Sequence, residues 1–333
     1  MRRLEVHLKE GDAFDAVIRA VKHFDPIDYS IVRPEQDNRR LINVLVRDGA
    51  SQELVDAIQS TLEGERDWRL NVIAVEASLP NLQTSTNGKE ERNTQATREE
   101  ILLDIGKGAV FDRDFAILVV LSTVVAAVGM NSGSVAGVIG AMVIAPLLGP
   151  ILAFAMGAAL GDIGLIKQSG VTLLGGIAIA LLSGLALAFV VPIDLSSTEL
   201  TSRAEVRLDA VALALAAGGA AALSVAKGQG AGLVGVMVAA ALLPPGAAMG
   251  LFLGSGEIEL GARAGLLLTL NVACLVLAAL ITFRLRKIQP RKWIEQQNAT
   301  VAIRVNMAFW IACLLIAGAM IVYFDLGTRI ELP

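Results

Sequence analysis

Four prolines sit inside apolar runs: Pro146 and Pro150 in APLLGP (145–150), and Pro244 and Pro245 in LLPPG (242–246). A proline has no backbone N–H, so inside a helix it leaves a carbonyl one turn back without its donor. In lipid no bulk water replaces that donor, and the freed peptide groups must be satisfied by protein or by a watered cavity. Gly149 lies within the first break and is a further candidate for the pathway. The chemistry on offer is hydrogen bonding and ion coordination by carbonyls and half-helix dipoles, as at interrupted helices of transporters. Such prolines and glycines also serve plain kinking and close helix packing.

Further polar groups accompany the breaks. Asp162 and Glu257 close the two apolar runs, as gate residues or as ordinary solvated helix ends. Asn131 and Ser132 (with Ser134) precede the first run, and Lys227 and Gln229 precede the second; each set fits one mouth of a pathway or a capping loop. Asn271, Thr269, Ser122 and Thr123 lie well inside apolar spans. An intramembrane amide or hydroxyl commonly bonds a neighbouring helix, and Asn271 is a candidate for solute contact. No acid, Lys, Arg or His lies near the middle of a span, which argues against a proton relay or a midplane ion pair.

Covalent chemistry has no candidates. There is no GxxxxGK[ST], HExxH, CxxC or GxSxG, and IGKGA (105–109) and AKGQG (226–230) are too short for phosphate loops. His7 and His23 lack ligand spacing, and Cys274 and Cys313 lie inside apolar runs as packing residues. The expectation is a non-enzyme with no metal and no cofactor.

The elements that hold these residues form a repeat. Ala136–Asp162 and Ala231–Glu257 align at an offset of 95 positions (136 to 231). Gly137/Gly232, Gly140/Gly235, Met142/Met237, Leu147/Leu242, Leu148/Leu243, Pro150/Pro245 and Gly161/Gly256 are identical, and Asp162 matches Glu257. A duplicated interrupted span predicts a duplicated core.

Composition divides the chain. Residues 1–112 hold 15 of the 28 Lys/Arg and 21 of the 32 Asp/Glu, whereas residues 113–333 hold long apolar runs. The first part reads as a soluble domain (1–80), then a linker and juxtamembrane helix (81–112). The second reads as a membrane domain (113–333). In the soluble part, strands are predicted at 2–8, 28–33, 40–47 and 68–80. Helices are predicted from Asp12, as a cap, to His23 and from Ser51 to Leu62. The order is βαββαβ, a ferredoxin-like α+β domain. Residues 81–97 read as linker, and Thr97 with Glu100 reads as a capping box opening a helix to Phe111 that couples the two domains. The amino terminus, MRRLEVHLKEGDAF, has no apolar h-region.

About seven spans are predicted in an all-α membrane domain: repeat A (114–192), repeat B (208–284) and an extra span (305–324). The second and fifth spans, 134–160 and 230–255, are both expected to be broken. The basic cluster Arg284, Arg286, Lys287, Arg291 and Lys292 places that end in the cytoplasm. The soluble domain is placed there too, and the carboxy-terminal tail outside the cell (inner) membrane. Two arrangements fit: full crossings with three-span repeats related by inversion, or re-entrant hairpins with parallel repeats. Expected partners are the lipid bilayer, further copies of the chain through small-residue faces, and a small regulatory ligand on the soluble domain. No nucleic-acid surface is present.

The βαββαβ pattern, TREEIL, LVVLSTVVAAVGM, VIGAMVIAPLLGPILAFAMG and AKGQGAGLVGVMVAAALLPPGAA together resemble the uncharacterised hydrophobic protein family, domain of unknown function 389, over nearly the whole chain. That resemblance implies an integral membrane protein with a cytosolic ferredoxin-like domain, and it implies no substrate. The reading is a transporter or channel for an ion or small polar solute, regulated by the soluble domain. The alternative is a membrane-anchored sensor or scaffold for a nucleotide-like ligand.

Overall fold

The computed structural model describes residues 1–33, 39–75, 97–206, 208–228, 232–286, 288, 301, 303–316 and 318–319. The chain divides into two units, Met1–Ile101 and Leu102–Pro333.

In the first unit the elements run β1 (Arg2–Lys9), α1 (Asp12–His23), β2 (Asp28–Val32), β3 (Arg39–Val46), α2 (Asp48–Thr61) and β4 (Arg69–Ala74). The four strands form an antiparallel sheet in the order β2-β3-β1-β4. Alternation sets the faces. Leu4, Val6 and Leu8 of β1 and Ile42, Val44 and Val46 of β3 point to one side. There they meet Phe14, Val17 and Val21 of α1 and Leu54, Val55 and Ile58 of α2. Two expected helix starts are corrected. Asp12 is not a cap: Gly11 holds that position, and Asp12 lies in the first turn, where its charge suits the helix dipole. The second helix opens at Asp48, ahead of Ser51, which is buried within it. Strand β4 ends at Ala74; the rest of the predicted strand, from residue 76, and the linker to residue 96 lie outside the described residues.

Helix α3 (Arg98–Gly108) opens with the predicted capping box: Thr97 N–H donates to Glu100 Oε2 at 2.8 Å, and Glu100 N–H donates to Thr97 Oγ1 at 3.3 Å. Glu100 also takes a salt bridge from Arg2 Nε at 2.8 Å. The helix stops three residues before Phe111.

The second unit is helical: α4 (Arg113–Asn131), α5 (Val135–Ile144), α6 (Leu148–Leu160), α7 (Ile163–Ala188), α8 (Thr198–Thr201), α9 (Leu208–Ala226), α10 (Gly232–Gly254), α11 (Ile258–Leu285) and α12 (Ile303–Ile316). The internal repeat is structural. α4 and α9 correspond end to end at an offset of 95 (113 to 208, 131 to 226), and α7 and α11 begin at the same offset (163 to 258). The turns match too. Gly133 and Gly228 both have φ +66°, and Gly161 and Gly256 have +71° and +88°, the left-handed region that side chains disfavour.

Five helices are long and apolar enough to cross a bilayer: α4, α7, α9, α10 and α11. The pair α5 and α6, bent by 52°, raises the number to six if it is one span. They are consistent with a multi-pass membrane protein. α12 is shorter, and the end of the predicted seventh span lies outside the described residues. Burial ranks the helices. In α10 and α11, 72 % and 78 % of the apolar window is buried, against 28 % in α7, so the former pair is the core. The outer helices turn apolar side chains outward, among them Leu121 and Val128 on α4 and Val171 and Leu174 on α7.

One expectation fails. The span predicted to break at 242–246 is the continuous helix α10, with Pro244 and Pro245 inside it. A continuous 23-residue helix also rules out the hairpin arrangement for this copy. The physical difference lies four positions before the shared proline. Pro146 follows Ala145, and a residue before proline is driven out of the α region; Ala145 is extended, with φ −66° and ψ 122°. The equivalent of Pro146 in the second copy is Ala241, which imposes no such restriction.

Candidate functional site

The first break spans Ala145–Leu147, between α5 and α6. Pro146 cannot donate to the Met142 carbonyl. Pro150 is buried at the third position of α6, where its missing N–H would have had no partner within the helix anyway. Gly149 is a packing residue: a Cβ placed on it would lie 2.6 Å from Gly108 Cα and 2.7 Å from Gly108 O. Beside this contact, Thr172 Oγ1 of α7 donates to the Ala109 carbonyl at 2.7 Å. The backbone after α3 is thereby fixed against α6 and α7.

At the second proline pair the arrangement differs. Pro245 removes the donor that the Ala241 carbonyl would have had in an unbroken ladder. Asn271 replaces it: Nδ2, from α11, donates to Ala241 O at 2.8 Å. This makes good the bond that Pro245 removes from α10. Asn271 is 4 % exposed, and its Oδ1 has no hydrogen-bond partner among the described residues. It lies near the middle of the 28-residue α11. Of the twelve candidates read from sequence, Pro245 and Asn271 are the two that this geometry joins.

The other candidates have structural partners or stand apart. Asn131, at the end of α4, uses both ends of its amide: Nδ2 donates to Pro192 O at 3.1 Å, and Oδ1 accepts from Asp194 N–H at 2.7 Å. With Ser197 Oγ donating to Met130 O at 2.5 Å, it fastens the segment after α7 onto the end of α4. Ser132 Oγ donates to Val128 O at 2.8 Å. Asp162 caps α7 by accepting from Leu165 N–H at 3.0 Å. Glu257 stands at the equivalent start of α11 without a side-chain cap bond and is exposed, as is Lys227. Gln229 lies outside the described residues. Ser122 and Thr123 both donate to Val119 O, and Thr269 to Gly265 O, each within its own helix. No cluster of three metal-ligating side chains occurs among the described residues.

Sequence reasoning missed the cluster at the start of α3. Arg98 donates to Asp56 Oδ1 at 3.1 Å and to Glu99 Oε1 at 2.6 Å. Gln52 Oε1 accepts from Arg98 N–H at 2.6 Å. Burial pushes the Glu99 carboxyl up. Hydrogen bonding and charge from Arg98, with a bond from Gln52, outweigh it and hold the carboxyl below its ordinary value. Burial disfavours the Arg98 charge, but Glu99 and Asp56 outweigh that and raise its pKa. Gln52 and Asp56 lie one helical turn apart on α2, a spacing that marks a shared face but names no partner.

Long apolar helices, outward-facing apolar side chains and a small αβ unit together define the class, a helical membrane protein with an appended αβ domain. Residues 142–277 match the family model described as a domain of unknown function, DUF389, as the resemblance of GAMVIAPLLGPI implied. The chain is also 28 % identical over 282 residues to an uncharacterized protein of Methanocaldococcus jannaschii, covering 85 % of this chain and 87 % of that one. No solved structure matches.

Proposed function

We propose that the second unit is a transporter or channel for an ion or small polar solute, built from two copies of a three-span repeat. The observation that carries this reading is the interrupted span α5–α6, whose loop peptides 145–147 fall in the middle of an apolar segment. Its dimensions suit a crossing. Helices of 10 and 13 residues are about 15 and 20 Å long. At a 52° bend they extend about 31 Å end to end, the thickness of a bilayer's apolar core. A hairpin returning to its own side needs a far larger reversal. Three crossings per copy make the repeats inverted, with the basic residues after α11 and the αβ unit in the cytoplasm. The strand order and βαββαβ sequence support a ferredoxin-like assignment for that unit, and the reading gives it a regulatory role.

The test is solute flux into proteoliposomes by the full chain and by Pro146→Ala, which restores the missing donor at the break. The reading expects measurable flux that changes in the variant; absence of flux across ions and small neutral solutes overturns it. A second reading, a membrane-anchored sensor, draws support from Asn131 and Asp162, whose side chains are occupied by structural bonds. It expects ligand binding to the αβ unit that Pro146→Ala leaves unchanged.

A further inference from the structure

Asn271 does more than repair α10. Its amide has a donor end and an acceptor end. The donor end is used on the carbonyl freed by Pro245, and the acceptor end, Oδ1, is buried and unpartnered among the described residues. A buried acceptor without a donor is unfavourable, and such orphans in native structures mark strain, function or a bound group. One residue earlier on α10, the Ala240 carbonyl loses its own helical donor to Pro244. Two oxygens thus lack their ordinary donors at one depth of the membrane unit.

The surroundings narrow what fits. α11 packs against α6, α9, α10 and the 3-10 turn Ser202–Ala204, whose Arg203 is paired with Glu199 Oε2 at 3.5 Å. α6 and α10 carry no charged residue, α9 carries only Asp209 at its start, and on α11 the nearest charge is Arg263, eight positions from Asn271. An anion finds oxygen lone pairs here, which repel it. A metal cation must shed its water for two or three neutral oxygens, too few to offset the loss of hydration in an apolar setting. A neutral molecule carrying O–H or N–H donors loses little and gives Oδ1 the partner it lacks.

We propose that Asn271 Oδ1, with the Ala240 carbonyl, is the hydrogen-bond acceptor site for a small neutral solute rich in donors, of the polyol or urea type, passing through the membrane unit. This rests on the transport reading above and names its solute class.

The experiment uses the full chain in proteoliposomes, with stopped-flow light scattering for glycerol and urea and ion-sensitive dyes for K⁺, Na⁺ and Cl⁻. Asn271→Leu removes the acceptor but also strips Ala241 O of its donor, so it is paired with Pro245→Ala, which restores that donor as a backbone N–H. The double variant Pro245→Ala/Asn271→Leu keeps Ala241 O satisfied and lacks the Asn271 acceptor; Pro245→Ala alone keeps both. The expected result is glycerol or urea flux above that of protein-free vesicles, retained in Pro245→Ala and reduced at least tenfold in the double variant. Flux in the double variant equal to that of Pro245→Ala overturns the assignment of Asn271 while leaving transport standing. Flux of ions but of neither neutral solute overturns the solute class. No flux of any species overturns the transport reading and this one with it.

Discussion

Gly149 has two readings, pathway lining or backbone contact, and one substitution separates them. A Cβ on Gly149 meets Gly108 Cα at 2.6 Å, O at 2.7 Å and C at 2.9 Å. All three are backbone atoms, so no rotamer change relieves the clash. Ordinary carbon contacts begin near about 3.5 Å, so the two segments must part by about 0.9 Å. Overpacking of that kind costs roughly 1–3 kcal/mol. The same movement carries the neighbouring Ala109 carbonyl away from Thr172, stretching a 2.7 Å bond past hydrogen-bonding range and adding about 1 kcal/mol. Gly149→Ala is therefore expected to destabilise the second unit by about 2–4 kcal/mol. Gly140→Ala is the control: on α5 its Cβ meets nothing within 4 Å. Replacing a helical glycine with alanine there stabilises by roughly 0.5–1 kcal/mol. Thermal unfolding of the full chain in one detergent reads both, and the two melting temperatures move in opposite directions. Adding Gly108→Ala to Gly149→Ala costs little more, because one separation relieves both clashes. Equal stability of the Gly140 and Gly149 variants, or full additivity of the Gly108 pair, refutes the contact and returns Gly149 to the candidates for the pathway.

Two further outcomes follow from packing and charge. Gly184→Ala on α7 places a Cβ 2.5 Å from the Ala247 carbonyl of α10 and is expected to lower stability by about 1–3 kcal/mol, whereas Gly246→Ala, whose Cβ finds Ala180 Cβ at 3.6 Å, is tolerated; detergent melts distinguish them. The Glu99 carboxyl is held below its ordinary value when folded, so its stabilising contribution is present above the unfolded-state value, near pH 4.3, and lost as pH falls through the lower folded one. Hydrogen exchange over residues 98–101, corrected for intrinsic rates, is expected to lose protection on acidification, and Glu99→Gln is expected to remove that dependence; an unchanged acid response in the variant refutes the assignment.

Much of the first unit was legible because its core obeys period two. Leu4, Val6 and Leu8 alternate with Arg3, Glu5 and His7, and that alternation alone sets which face is buried. The Thr97–Glu100 box was legible because it is local, its residues three apart. Bonds between distant residues were not. Nothing near Asn131 announces Pro192, sixty-one positions on, and nothing near Arg98 announces Asp56. Helix starts were misplaced where Asp12 and Ser51 suggested caps, since neither is needed there: Gly11 and Arg47 hold the cap positions without a side-chain cap bond.

The repeat shows why the candidate site was half legible. Pro150 and Pro245 are the same residue at the same place in two copies, and sequence comparison treats them as equals. Their effects differ because a proline acts on the carbonyl four residues back and on the residue before it. Pro150 opens α6 and costs nothing there, since the break was already made at Ala145 by Pro146. Pro245 lies within a helix and strips Ala241 O of its donor, a loss that Asn271 makes good from another helix. The position equivalent to Asn271 in the first copy is Gly176, which has no amide to offer, and in that copy the chain breaks instead. Duplication thus supplied two apolar spans of one length, and each copy met the missing donor in its own way, one by a loop at 145–147 and one by a borrowed side chain. The repair in the second copy consequently depends on a residue 30 positions from the carbonyl it serves.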